Sequence, residues 1–248
     1  MTVFVLAFLC EYMDSTLGMG YGTTLTPVLI LLGYEPLEVI PVILLSEVVT
    51  GFAAGLGHHR VGNAIFHAGS RHLRIALVLA ACSIAGASLS VLLSVNLPPK
   101  ALKGTIGLII IAVGLVLLFN VNRQYKFSWR RLYVLGLVAS FNKGISGGGY
   151  GPLVTGGQIL SGINAKSAIA ISTLSEGLAS IIAVLLYLWA GPGVNWQLLP
   201  YLLGGSLLSV PLAVLTVQRL PLGYLRLYIA LLTLALGSGT VGRLIVHW

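Results

Sequence analysis

Residues 142–152 read NKGISGGGYGP: one lysine, five glycines and a proline set between two apolar runs. Glycine weakens a helix interior, proline removes a backbone donor, and a lysine at bilayer depth is costly. The stretch therefore predicts a break between two half-helices. Pro152 restarts the second one within its first turn, where a missing N–H costs nothing. Non-helical backbone at membrane depth persists only where it is buried in protein or lines a cavity.

That the depth is a membrane's follows from composition. The 248 residues are 57% hydrophobic and 8% charged, with mean hydropathy +0.98, too few polar side chains to cover a soluble globule of this size. Lipid is the implied solvent and a partner by necessity. The opening residues, MTVFVLAFLCEYMD, lack the basic start and small-residue cleavage site of a secretory signal and are read as the first part of the mature fold. The formal charge of +8 is scattered over short loops, so it is read as topology-determining charge and no nucleic-acid partner is expected. Cys10 and Cys82 lie inside apolar runs, which suits neither a disulfide framework nor a metal site. No cofactor is expected.

Six apolar segments are long enough to cross a hydrocarbon core, for which about 20 residues suffice: 36–57, 73–95, 101–119, 166–190, 196–217 and 221–245. Two longer stretches, 1–32 and 131–161, are interrupted by glycine at LGMGYG and ISGGGYG. Sliding the sequence by 129 residues places Gly20-Tyr21-Gly22 on Gly149-Tyr150-Gly151 and Leu45-Ser46-Glu47 on Leu174-Ser175-Glu176. Glutamate is rare here, so a Ser-Glu pair recurring at that offset signals duplication. The expected architecture is an all-α integral membrane protein of about 8–10 helical segments. Its first repeat spans 1–120, a cytoplasmic linker 121–132 and its second repeat 133–248, all in one transmembrane domain.

Lysine and arginine orient the halves. If each broken stretch is a re-entrant hairpin, ten basic residues face the cytoplasm (Arg60, Arg71, Arg74, Arg123, Lys126, Arg130, Arg131, Lys166, Arg219, Arg226) and three lie outside (Lys100, Lys103, Arg243). If each crosses once, the division is eight against five. The hairpin topology is preferred; it puts Glu35 and Glu38 outside and makes the halves inverted. Inverted repeats with matching broken helices point to a transporter whose site lies where the breaks face each other.

Such a site would present free amides and the positive ends of half-helices. Gly147, Gly148, Gly149, Tyr150 and Gly151 supply it in the second half, and Gly20, Tyr21, Gly22, Thr23 and Thr24 in the first. Asn142 and Ser146 offer hydrogen bonds and Lys143 a positive charge, which together describe a small-anion site. Two other readings stand beside it. The glycines could serve close helix packing, and Lys143 could form a fixed ion pair with Asp14, its equivalent in the first half.

Glu47 and Glu176 fall near the middle of their spans. They are read either as proton-coupling carboxyls or as caps for orphan amides of a neighbouring break. His58, His59, His67 and His72 are read as part of a basic cytoplasmic loop from 58 to 74 rather than as metal ligands. Trp129, Trp189, Trp196 and Trp248 sit near span ends, as interfacial anchors do.

The duplicated break with SGGGYGP, followed by Ser-Glu in the next span, resembles the sulfite exporter TauE/SafE family, also called the toluene sulfonate uptake permease family. The likeness runs over essentially the whole chain. It implies an inner-membrane, multi-pass transporter of small sulfur-containing anions such as sulfite, sulfonates and sulfoacetate. It implicates Gly147, Gly148, Gly149, Gly151 and Pro152 in the second half, and Gly18, Gly20, Gly22 and Pro27 in the first, where Met19 and Tyr21 stand in place of further glycine. The expectation is a secondary carrier of such an anion, possible proton coupling resting on Glu47 or Glu176, with an anion channel as the rival. A membrane enzyme or an assembly factor is the rival from another class; no serine nucleophile with a suitable base is evident near Ser146, so an enzyme is not expected.

Overall fold

The computed structural model describes residues 1–18, 21–120, 128–191 and 193–217, with isolated positions at 219, 234–235, 238 and 242. Among the described residues there are nine helices and no strand: α1 (Thr2–Leu17), α2 (Tyr21–Leu31), α3 (Pro36–Arg60), α4 (Arg71–Asn96), α5 (Pro99–Asn120), α6 (Trp129–Ser146), α7 (Tyr150–Leu160), α8 (Ala165–Ala190) and α9 (Leu199–Val217). Helices α3, α4, α8 and α9 are each long and apolar enough to cross a membrane. Their outer faces carry the leucines and isoleucines that lipid requires, among them Leu56, Leu77, Ile84, Leu185 and Leu208. The expected span 221–245 and most of the linker lie outside the described residues.

Both expected breaks are present. α1 ends at Gly18 with φ 65° and α6 at Gly147 with φ 70°, the left-handed conformation that closes a helix and that glycine adopts without strain. Helix boundaries recur at the offset of 129: Gly18 and Gly147, Tyr21 and Tyr150, Leu31 and Leu160, Pro36 and Ala165. Pro36 opens α3 after an extended Glu35, with Glu38 in the first turn and His58, His59 and Arg60 in the last, each suited to the dipole end it occupies. α8 opens on Asn164, whose side chain accepts from the Lys166 amide at 3.0 Å.

Two apolar clusters are built from residues at that same offset. One holds Cys10, Tyr21, Leu25 and Val42, the other Ala139, Tyr150, Val154 and Ile171. Val3 at the start of α1 and Tyr34 just past α2 pack on the first cluster with Val194 and Leu199. Leu132 near the start of α6 and Ile163 just past α7 pack on the second with Phe66 and Ile75. Each broken pair thus begins and ends beside a common cluster. Ser167 donates to the Asn63 carbonyl at 3.1 Å, so the start of α8 meets the loop after α3. A third cluster holds Ile40, Leu44, Val91, Ile145 and Tyr187.

The packing is exchanged between halves, α1 lying on α9 and α6 on α4. Small residues permit it. A Cβ on Gly86 would meet the Leu137 carbonyl at 2.6 Å and one on Gly205 would meet the Phe8 amide at 3.0 Å. α3 crosses α8 at Gly51 and Gly177, where a Cβ on Gly51 would stand 2.6 Å from the Gly177 Cα.

α3 differs from expectation at its end. It runs on through His58, His59 and Arg60, which the sequence reading placed in a loop. Basic side chains favour the last turn of a helix, so their presence did not mark its end. The connection is residues 61–70, closed by Ser70, which caps α4 by accepting from the Leu73 amide at 3.2 Å.

Candidate functional site

The breaks meet backbone to backbone. A Cβ on Gly22, in the first turn of α2, would overlap the Gly147 carbonyl, and one on Gly148 would overlap the Gly22–Thr23 peptide. Gly149, whose φ of 76° opens α7, donates its N–H to Thr23 Oγ1 at 2.6 Å. On the far side Thr155 of α7 donates to the Gly18 carbonyl at 2.6 Å. Each half-helix therefore braces the break of the other half. In this arrangement the glycines serve close approach of backbone to backbone.

The polar residues expected to bind substrate are partly engaged. Ser146 Oγ lies 2.7 Å from the Asn142 carbonyl and 3.1 Å from that of Gly148, and it accepts from the Gly148 amide, stapling its own turn. Tyr21 donates to Ser46 Oγ at 3.0 Å, and Ser46 meets Ser206 at 3.0 Å. Thr24 and Thr26 keep buried hydroxyls without a hydrogen-bond partner among the described residues. Tyr150 is fully buried, Gly151 is buried beside it in α7, and Asn142 is half-buried. Gly20 lies outside the described residues.

Lys143 is one of the largest fully buried side chains in the protein. Its Nζ pairs with Glu47 Oε2 of α3 and with Glu176 Oε1 of α8 at 2.9 Å, and lies 5.7 Å from the centroid of the Tyr150 ring. The Asp14–Lys143 ion pair considered from sequence is not formed within 4.0 Å; both glutamates take the ammonium instead. The offset of 129 places Asp14 and Lys143 at matching backbone positions, each four residues before the glycine that ends its helix, not side by side. Ser180 adds a second donor to Glu47 Oε2 at 3.2 Å. Taking one partner from such a buried pair leaves an uncompensated charge and costs about 3–5 kcal/mol. The described amides of Gly148 and Gly149 go to Ser146 and Thr23, so these two are not capped by a glutamate.

Two residues that sequence reasoning passed over also belong here. Glu11 of α1 is buried, accepting from Ser15 Oγ at 2.7 Å. His58, grouped above with exposed loop residues, is fully buried, with Nε2 3.2 Å from the Ser15 carbonyl and Nδ1 2.9 Å from Asn63 Nδ2. Glu11 carried a signal: it stands three residues before Asp14, so both share one face of α1. His58 carried none, since its neighbours His59 and Arg60 are exposed.

Comparison with known proteins fits this architecture. The family model described as "Sulfite exporter TauE/SafE" matches residues 3–240. A Bacillus subtilis (strain 168) protein described as "Probable membrane transporter protein YtnM" is 29% identical over 230 residues, covering 86% of this chain and 73% of that one. No solved structure matches the chain.

Proposed function

Because the chain belongs to the sulfite exporter TauE/SafE family and is a multi-pass membrane transporter of that type, we propose that it is a secondary carrier of a small sulfur-containing anion in the cytoplasmic membrane. The substrate class is sulfite, a sulfonate or sulfoacetate. The observation that carries this reading is the meeting of two half-helix N-termini at Tyr21 and Tyr150 across bare glycine backbone. The first-turn amides and dipole ends of such helices favour negative charge, and glycine lets an oxyanion approach the peptide groups themselves. The buried, unpartnered hydroxyls of Thr24 and Thr26 are further donors for it.

The matching ends of the two broken pairs, each beside its own cluster, support an inverted repeat, and rocking of one half against the other would open the breaks to each side in turn. In the arrangement described they touch, which suits an occluded carrier better than an open channel. Lys143 draws α3 and α8 together through Glu47 and Glu176, holding the floor of the site instead of meeting the anion first.

Uptake of labelled sulfite, sulfate and a sulfonate into proteoliposomes, with and without an imposed pH gradient, tests this. A carrier accumulates one of them against its gradient and shows counterflow. Passive equilibration alone would establish a channel, and movement of none of them would overturn the reading.

A further inference from the structure

The chain has six acidic residues, and four of them are buried together: Glu11, Asp14, Glu47 and Glu176 are each exposed by 5% or less. Among the described residues one cation, Lys143, faces them, and it is already bonded to Glu47 and Glu176. His58 adds no positive charge. Asn63 Nδ2 is a donor only, so His58 Nδ1 accepts and the ring is neutral, with its remaining N–H on the Ser15 carbonyl. Four ionised carboxyls against one ammonium would leave three negative charges uncompensated in a protein interior, which low-dielectric surroundings do not sustain.

Asp14 Oδ1 and Glu11 Oε2 are moreover buried without a hydrogen-bond partner among the described residues; Glu47 and Glu176 also keep one bare oxygen each, but their other oxygens are held by the Lys143 ammonium. A carboxylate oxygen left so bare is suited to carry hydrogen. Among the described residues, no three His, Cys, Asp or Glu side chains are gathered so as to hold a metal ion.

We propose that Glu11 and Asp14, one above the other on the buried face of α1, are the proton-binding site of the carrier, while Glu47 and Glu176 stay ionised on Lys143. This rests on the anion-carrier reading for its purpose. Asp14 stands one turn before Gly18, the first break, so an anion arriving between the breaks adds negative charge beside it. Proton and anion then promote each other's binding and cross together. The groups facing the pair are Cys10 on α1, Tyr21 on α2, Glu47 and His58 on α3, Lys143 on α6 and Glu176 on α8. On α9, Thr216 meets Tyr12 at 3.0 Å, and the helix contributes no acid, lysine, arginine or histidine. The chain from Asn63 through His58 to Ser15 and Glu11 links the pair to the loop after α3.

The test uses the full chain in proteoliposomes. Infrared difference spectra between acid and alkaline buffer, taken with no substrate anion, report buried carboxylic groups directly. The native protein is expected to show a titrating carboxylic C=O band, with Asp14→Asn and Glu11→Gln each removing part of it and the exposed Glu38→Gln removing none. A native protein without such a band, or one whose band survives intact in both variants, overturns the proposal whether or not any anion is carried. With the transported anion, accumulation driven by a pH gradient should fall about tenfold in Asp14→Asn and Glu11→Gln, within the range of coupling between two ligands, while counterflow stays measurable. Undiminished accumulation in both would overturn the proton site and leave the carrier reading standing; absence of counterflow in the native protein would overturn the carrier reading alone.

Discussion

At the first break Gly18 donates its N–H to the carbonyl of Asp14, and at the second Gly147 donates to the carbonyl of Lys143. Both glycines are left-handed, both helices that follow begin on tyrosine, and each break is faced by a threonine from the other half, Thr155 at Gly18 and Thr26 at Gly147. The side chains then diverge. Lys143 takes two carboxylates, whereas Asp14 keeps an oxygen without a partner among the described residues. Thr155 donates to the Gly18 carbonyl, whereas the Thr26 hydroxyl finds no acceptor. The two breaks share one backbone device, and charge has made one of them a clamp and the other a bare acid.

The sharpest way to break this contrast is Lys143→Met. It strands Glu47 and Glu176 in the interior and should cost about 3–5 kcal/mol, seen as loss of folded protein in detergent or a large drop in the thermal midpoint; an unchanged midpoint would show that the clamp does not hold. Gly22→Ala comes next. Its new methyl must displace the Gly147 carbonyl, so the breaks separate, with destabilisation of about 1–3 kcal/mol or more and loss of transport. Normal uptake by this variant would mean that the breaks do not need to touch.

Smaller effects separate the threonines. Thr155→Val removes the donor to the Gly18 carbonyl and should cost about 1 kcal/mol, while Thr26→Val, removing a buried hydroxyl with no partner, should be neutral or stabilising; equal midpoints for the two would erase the difference. Smallest is Asp14→Asn, a near-isosteric change expected to shift the thermal midpoint least, because it breaks no ion pair among the described residues. A loss comparable to that of Lys143→Met would mean that Asp14 has a partner after all.

The breaks themselves were legible in sequence because glycine, proline and a charge inside apolar runs admit few structures, and the repeat made each break evidence for the other. Glu47 and Glu176 stood out for the same reason, as rare acids at equivalent positions. The partner of Lys143 was not legible. An offset of 129 relates backbone positions, and only the crossing of α3 over α8 decides which side chains meet. His58 was hidden by its neighbours: one helical turn carries exposed and buried faces, and a run of His-His-Arg looks uniformly polar until the helix is known to continue through it.

The crossing at Gly51 and Gly177 has a consequence for the number of charges the interior must hold. With no methyl group on either side, the axes of α3 and α8 approach closely enough for a carboxylate from each to reach one ammonium, and for Ser180 of α8 to reach the carboxylate of α3. At a wider crossing one ammonium could not reach a carboxylate from each helix. The sharing of one positive group by two negative ones thus depends on the two smallest residues beside it.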